Sequence, residues 1–312
     1  MAGSNLPKGL IADLITPVLP GGVIDGTGLG RHLDRLLPCI QGVYISSPNA
    51  GEGTWLSIEQ RADLFDKTLV VVRGVVPVLM WITGDSEENT FKNIDLFRKK
   101  LSARNYQGMV IWIDTPLYYH SNRNLPEYYQ KLCPQIDENL ILHNDPALIC
   151  TLNDALKRKN IRTAILKELA ENPGIGGLIY SGSLDRSYNY QKAVRSRRDF
   201  RIYDEDESRF LDSPGSSGVV SMGVNIAPKE WNKITVSSLS RNNEDAYPDQ
   251  QQQIWNTWSY LSDLKNLYSG KGPAILKKVI SDMGIIAANN DYETPEVVEA
   301  AERIKRLMGI SE

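Results

Sequence analysis

Eight short apolar runs, each closed by turn-forming or polar residues, recur along the chain. They are GLIADLIT (9–16), GVYISS (42–47), VVPVLMWIT (75–83), GMVIWID (108–114), NLILHND (139–145), GIGGLIY (174–180), FRIYDED (200–206) and SGVVSMG (217–223). Continuous Val/Ile/Leu-rich runs of this length suit strands covered on both faces, as in a parallel sheet. The first four gaps between them are about 30 residues each, the size of one strand–helix unit. Polar, helix-like segments fill the gaps. IEQRADLFDKTLVV (58–71) follows Ser57, and SEENTFKNIDLFRKKLSAR (86–104) opens on Ser86, both good N-caps.

Eight strands alternating with helices, with no linker between them, predict one (β/α)8 TIM barrel over residues 1–225. The competing doubly wound sheet lacks its GxGxxG turn after the first strand. Residues 226–312 are expected as a C-terminal helical extension packed on the barrel in the same structural unit, with helices over 249–270, 272–284 and 294–309. Trp255, Trp258 and Tyr260 in the first of these serve either packing within the subunit or contacts between subunits.

A net charge of −3, from 35 basic and 38 acidic residues in 312, gives no electrostatic reason to expect nucleic acid or an anionic membrane as a partner. The basic run KAVRSRRDFR (192–201) has no interleaved aromatics and reads as a solvated helix face. Cys39, Cys133 and Cys150 form no CxxC pair, which suits reduced thiols in a cytoplasmic protein. The first apolar run is broken by Asp13 and Pro17, so neither a signal peptide nor a membrane span is expected.

Active sites of such barrels lie at the C-terminal ends of the strands. There the chain resembles the dihydrodipicolinate synthase/N-acetylneuraminate lyase family, class I aldolase-type barrels acting on pyruvate-like substrates. GLIADLITPV resembles the family's opening strand with its TP dipeptide, and NAGEGTWLSIEQRADLF resembles its GTTGE loop and following helix. DTPLYYHSN is similar to TPYYN, and LILHNDP to a strand ending in YNxP. IYDEDESRFL falls where the family has SGDD, SSGVVSMGVNIAP resembles GxxGVISxxxNxxP, and GPAILKKVISDMG resembles the penultimate helix.

The resemblance implies a Schiff-base lysine on the sixth strand, but the matching position is Leu178, or Ile179 if the loop shifts by one. The proton-relaying tyrosine of the fifth strand becomes His143. The carboxylate-binding hydroxyl pair of the GTTGE loop becomes Asn49 and Ala50, and no arginine follows in NDPALIC. Glu52 and other architectural positions remain, and Tyr118 falls near the family's interface tyrosine. Lys167, Lys229 and Lys277 are not placed for a nucleophile's desolvated pocket.

His143 can act as a general base near neutrality. Asp145, two residues on, shares its face if the strand continues, and would then orient the imidazole. The candidate catalytic residues are therefore His143 and Tyr118. The candidate ligand-binding residues are Asn49, Glu52, Asp145, Leu178, Tyr180, Asp204 and Val220. No cofactor or resident metal is expected.

Three functions stay open. The first is a lyase-superfamily protein that binds a small carboxylate or oxo acid without a Schiff base. The second is a catalytically inactive binding or partner protein on the same barrel. The third is a metal-assisted lyase or hydrolase using His143, Glu52 and the acids of 204–206. The resemblance also implies a homo-oligomer, dimer or tetramer.

Overall fold

The computed structural model describes residues 6–152, 158–239, 248–289, 291 and 293–310. Its centre is a closed barrel of eight parallel strands in chain order. They are β1 (Gly9–Asp13), β2 (Gly42–Ile45), β3 (Val78–Trp81), β4 (Val110–Asp114), β5 (Asn139–Asn144), β6 (Ile175–Tyr180), β7 (Arg201–Asp204) and β8 (Gly218–Ser221). Each lies within one of the eight apolar runs. Closure brings Leu10 beside Val219 and Ala12 beside Ser221.

The helices of the barrel ring are α1 (Gly26–Leu36), α2 (Ile58–Val72), α3 (Glu87–Arg104), α4 (Leu125–Leu132), α5 (Pro146–Thr151), α6 (Thr163–Leu169), α7 (Leu184–Val194), α8 (Glu207–Asp212) and α9 (Pro228–Leu239). Ser57 caps α2 through a full capping box with Gln60, and Ser86 caps α3, as their sequences predict. Beyond them lie α10 (Pro248–Tyr268), α11 (Gly272–Asp282) and α12 (Pro295–Leu307). The extension is pinned by polar contacts. Tyr268 donates to Glu207 at 2.6 Å, Trp258 donates to the Leu211 carbonyl at 3.1 Å, and Lys277 pairs with Glu52. Trp255 remains exposed. Among the described residues, no helix is long and apolar enough to cross a membrane.

Two apolar layers follow from strand alternation. Ile11, Tyr44, Trp81, Ile113, Ile179 and Val220 are among those that fill the barrel interior. Leu10, Val43, Met80, Leu178 and Tyr180 belong to the larger layer beneath the helices. In β6 the alternation is interrupted. Leu140 pairs with Ile175 but Ile141 pairs with Gly177, so Gly176 is an extra, unpaired residue. This bulge resets the phase and turns Ile179, rather than Leu178, into the barrel.

Candidate active site

The C-terminal end of the barrel collects a buried polar cluster from five strand ends. By the period of two, Asp13 follows Ile11 inward on β1, and His143 follows Ile141 inward on β5. Glu205, just past β7, follows Tyr203 inward. His143 Nε2 lies 2.7 Å from Glu205 Oε2, with both side chains almost fully buried. On the other edge of the ring, Tyr44 Oη and Thr115 Oγ1 each lie 3.4 Å from His143 Nδ1, and Thr115 Oγ1 accepts from Trp81 Nε1 at 2.9 Å.

Asn49 ties this cluster together. Its amide donates to Glu205 Oε1 at 2.9 Å and to Asp145 Oδ2 at 3.4 Å. Asp145 Oδ1 in turn caps α5 through the N–H groups of Ala147 and Leu148. The loop that presents Asn49 is tightly wound, with Ser46 and Glu52 both at positive φ. A Cβ at Gly51 or Gly53 would collide with the Ser46–Ser47 backbone, so glycine permits the close approach. The loop aims the Ala50 N–H at Asp13 Oδ2, 3.3 Å away. Asp13 Oδ1 has no partner among the described residues, although Asp13 is only 2 % exposed.

Burial sets opposite protonation states within the cluster. Burial alone pulls the His143 imidazole down, but the charge and hydrogen bond of Glu205, with Asp145 and Asp13 behind, leave it above its ordinary value. Burial pushes Glu205 up, and His143 and Asn49 more than offset it, so the carboxylate stays ionised. Asp13 has no such partner. Burial, then the charge of Glu205, push its carboxyl up to about 8, with only the Ser47 hydroxyl, the Ala50 N–H and His143 pulling the other way.

A cavity of about 470 Å³ opens above this floor. Asp13, Asn49, Glu205, Val220 and Met222 line it, together with Lys265 and Tyr268 of α10. Tyr118, in the turn after β4, stands edge-on to Trp81 with ring centres 6.0 Å apart.

The sequence-derived site residues divide into two groups. His143, Asp145, Asn49 and Val220 converge at the mouth. Glu52 does not, because it pairs with the buried Lys277. Leu178 and Tyr180 face the helix layer, where Tyr180 packs edge-on against Tyr190 at 5.1 Å. Asp204 also points outward and is neutralised by Arg209, whose Nε donates to it at 2.9 Å. Asp13, Tyr44, Thr115 and Glu205 are the additional polar members of the floor. Alternation from Ile11 and Tyr203 marks two of them. In the sequence Asp13 is no more than an interruption of an apolar run.

Among the described residues, His143, Asp145 and Glu205 form the one group whose ligand atoms, all within 4.8 Å of one another, could hold a metal ion. Glu205 bonds His143 directly, and the Asn49 amide sits between the two carboxylates as a donor. As arranged, the imidazole and the two carboxylates are held by hydrogen bonds to one another and to Asn49.

The comparisons with known proteins agree with this architecture. The family model described as the dihydrodipicolinate synthetase family matches residues 6–295. The 4-hydroxy-tetrahydrodipicolinate synthase of Thermotoga neapolitana is 27 % identical over 307 residues, covering 97 % of each chain. An uncharacterised DapA-like lyase of Thermococcus kodakarensis is 27 % identical over 313 residues, covering 96 % of this chain and 98 % of its own. The dihydrodipicolinate synthase of Thermotoga maritima superposes with a TM-score of 0.79 at 18 % identity, covering 98 % of this chain and 100 % of its own. YagE of E. coli K12, solved in complex with pyruvate, superposes with a TM-score of 0.77 at 18 % identity, covering 96 % and 98 %. With its closed eight-stranded barrel and a family match along nearly its whole length, this chain belongs to the dihydrodipicolinate synthetase family.

Proposed function

We propose that the barrel mouth binds a small oxo-acid-like ligand and carries out lyase-class chemistry without a Schiff base, through proton transfer at the His143–Glu205 pair. The observation that carries this reading is that pair, at 2.7 Å and almost wholly enclosed, at the end of the barrel where such folds work. Family membership supports a lyase-class reaction, and the pyruvate complex of YagE supports a small oxo acid as ligand. The inward residue of β6 is Ile179, with no amine to condense with a carbonyl. The cavity's charges favour one ligand orientation, with a carboxylate toward Lys265 and the carbonyl toward the acidic floor. His143 touches Glu205 rather than the cavity, so it sets the carboxylate's charge and direction. Tyr118 contributes a contact at the rim. A dimer or tetramer completes the proposal and is read directly by light scattering on the purified protein.

Ligand-detected NMR with short 2-oxo acids and aldol products, on wild type and His143→Gln, tests the reading. Binding and turnover in wild type, with turnover lost in the variant, are expected. Turnover indifferent to the substitution removes the pair from the mechanism. Binding with no turnover in either protein turns the site into that of a binding protein.

A further inference from the structure

Two carboxyl groups, Asp13 and Glu205, line the same cavity in opposite surroundings. Glu205 Oε2 is bonded by His143, and Oε1 accepts from the Asn49 amide. Asp13 accepts a long bond from Ala50 N–H at 3.3 Å and has the Ser47 hydroxyl beside it, while its Oδ1 is buried and unpartnered among the described residues. Two buried carboxyls in one pocket do not both ionise cheaply, and the better-solvated one takes the charge. Glu205 has the imidazole and the amide, so Asp13 keeps its proton.

We propose that Asp13 is the general acid of the reaction and Glu205 its general base, with His143 a positioning residue behind Glu205. This rests on the reading of the mouth as an oxo-acid site. In the step, Glu205 takes a proton from the carbon next to the ligand's carbonyl. The C–H electron pair becomes the C=C bond, and the carbonyl π pair moves to oxygen, which takes the proton from Asp13. The products are a neutral enol, an Asp13 carboxylate and a Glu205 carboxylic acid, and the reverse transfer restores both groups. The pair thus does without an enzyme iminium what an electron sink otherwise does: it keeps negative charge from accumulating on the ligand oxygen.

The titratable groups around Asp13 are Glu205, Asp206 and Glu207 from the β7 end, His143 from β5, Tyr44 from β2 and Lys265 from α10. Burial and the charge of Glu205 hold Asp13 at about 8, so its proton is available through neutral pH.

Solvent deuterium exchange into pyruvate and 2-oxobutyrate, followed by proton NMR across pH, tests the assignment. Wild type should exchange the protons next to the carbonyl, with an alkaline limb set by Asp13. Asp13→Asn, an isosteric change, should lower the rate about 100-fold or more and remove that limb while KM changes little. A variant that keeps both rate and limb overturns the acid's assignment and leaves the functional reading intact. Wild type inert toward both acids overturns the two together. Difference infrared spectra of wild type against Asp13→Asn supply a readout free of substrate. A protonated carboxyl band at neutral pH, absent from the variant, is expected, and its absence from wild type refutes the proposal. Exchange that is abolished by chelator and restored only by a divalent cation refutes it as well, in favour of a metal at His143, Asp145 and Glu205.

Discussion

Replacing Asp13 by Asn should make the protein's stability less dependent on pH, by an amount that follows from its surroundings. An acid whose folded pKa lies above its unfolded value keeps its proton in the native state and gives it up on unfolding. The resulting stability is fully present below the unfolded value of 3.8 and is lost as pH rises through about 8. At 1.36 kcal/mol per pH unit, the span from 3.8 to 8 corresponds to about 6 kcal/mol. The part lost between pH 5 and pH 9 is about 4 kcal/mol. Asn cannot titrate, so Asp13→Asn should gain about 4 kcal/mol on wild type over that interval. The contribution of His143, also lost as pH rises, is present in both proteins and largely cancels in the difference. Guanidinium titrations of both proteins at pH 5, 7 and 9, followed by circular dichroism, measure it. A stability of the Asn variant minus that of wild type that stays constant with pH, or falls toward alkaline pH, would mean that Asp13 is ionised in the native state, and the physical basis for its role would fall.

Two further perturbations probe neighbouring parts of the account. Glu205→Leu leaves the His143 imidazole buried without its partner and should cost about 3–5 kcal/mol, most of it recovered when His143→Leu is combined with it. Additive losses in the double variant would show that the two side chains do not act as a pair. Leu178→Ala should cost about 2–5 kcal/mol through a cavity under the helices while leaving oxo-acid affinity unchanged. Weaker binding by a fully folded Leu178→Ala protein would put Leu178 in the site after all.

The barrel was legible because its evidence is local and repeated. Each strand is a buried apolar run ended by a polar turn, and α2 and α3 carry their N-cap serines. His143 and Asp145 were legible for a similar reason, since two residues apart at a strand end share a face. The errors at Leu178 and Asp204 are errors of phase. The bulge at Gly176 shifts the inward face of β6 by one residue, and it is visible only through pairing with β5. On β7 the inward position is Glu205, fixed by Tyr203 filling the barrel, whereas the adjacent Asp204 is claimed by Arg209 from outside. Glu52 was misplaced because its partner, Lys277, lies 225 residues away in the chain. Asp13 was overlooked because a lone acid in an apolar run carries no motif. Its meaning comes from Ala50 and Glu205, which tertiary structure brings beside it.

The central claim is that the chemistry at this mouth belongs to carboxyl groups and an imidazole, not to an amine. Incubating the protein with pyruvate and borohydride, then measuring its intact mass, tests that claim most directly. The mass should remain that of the unmodified chain, because Ile179 offers no nucleophile inside β6. A mass increase matching one reduced pyruvate adduct, mapped to any lysine, would restore Schiff-base chemistry and contradict the account.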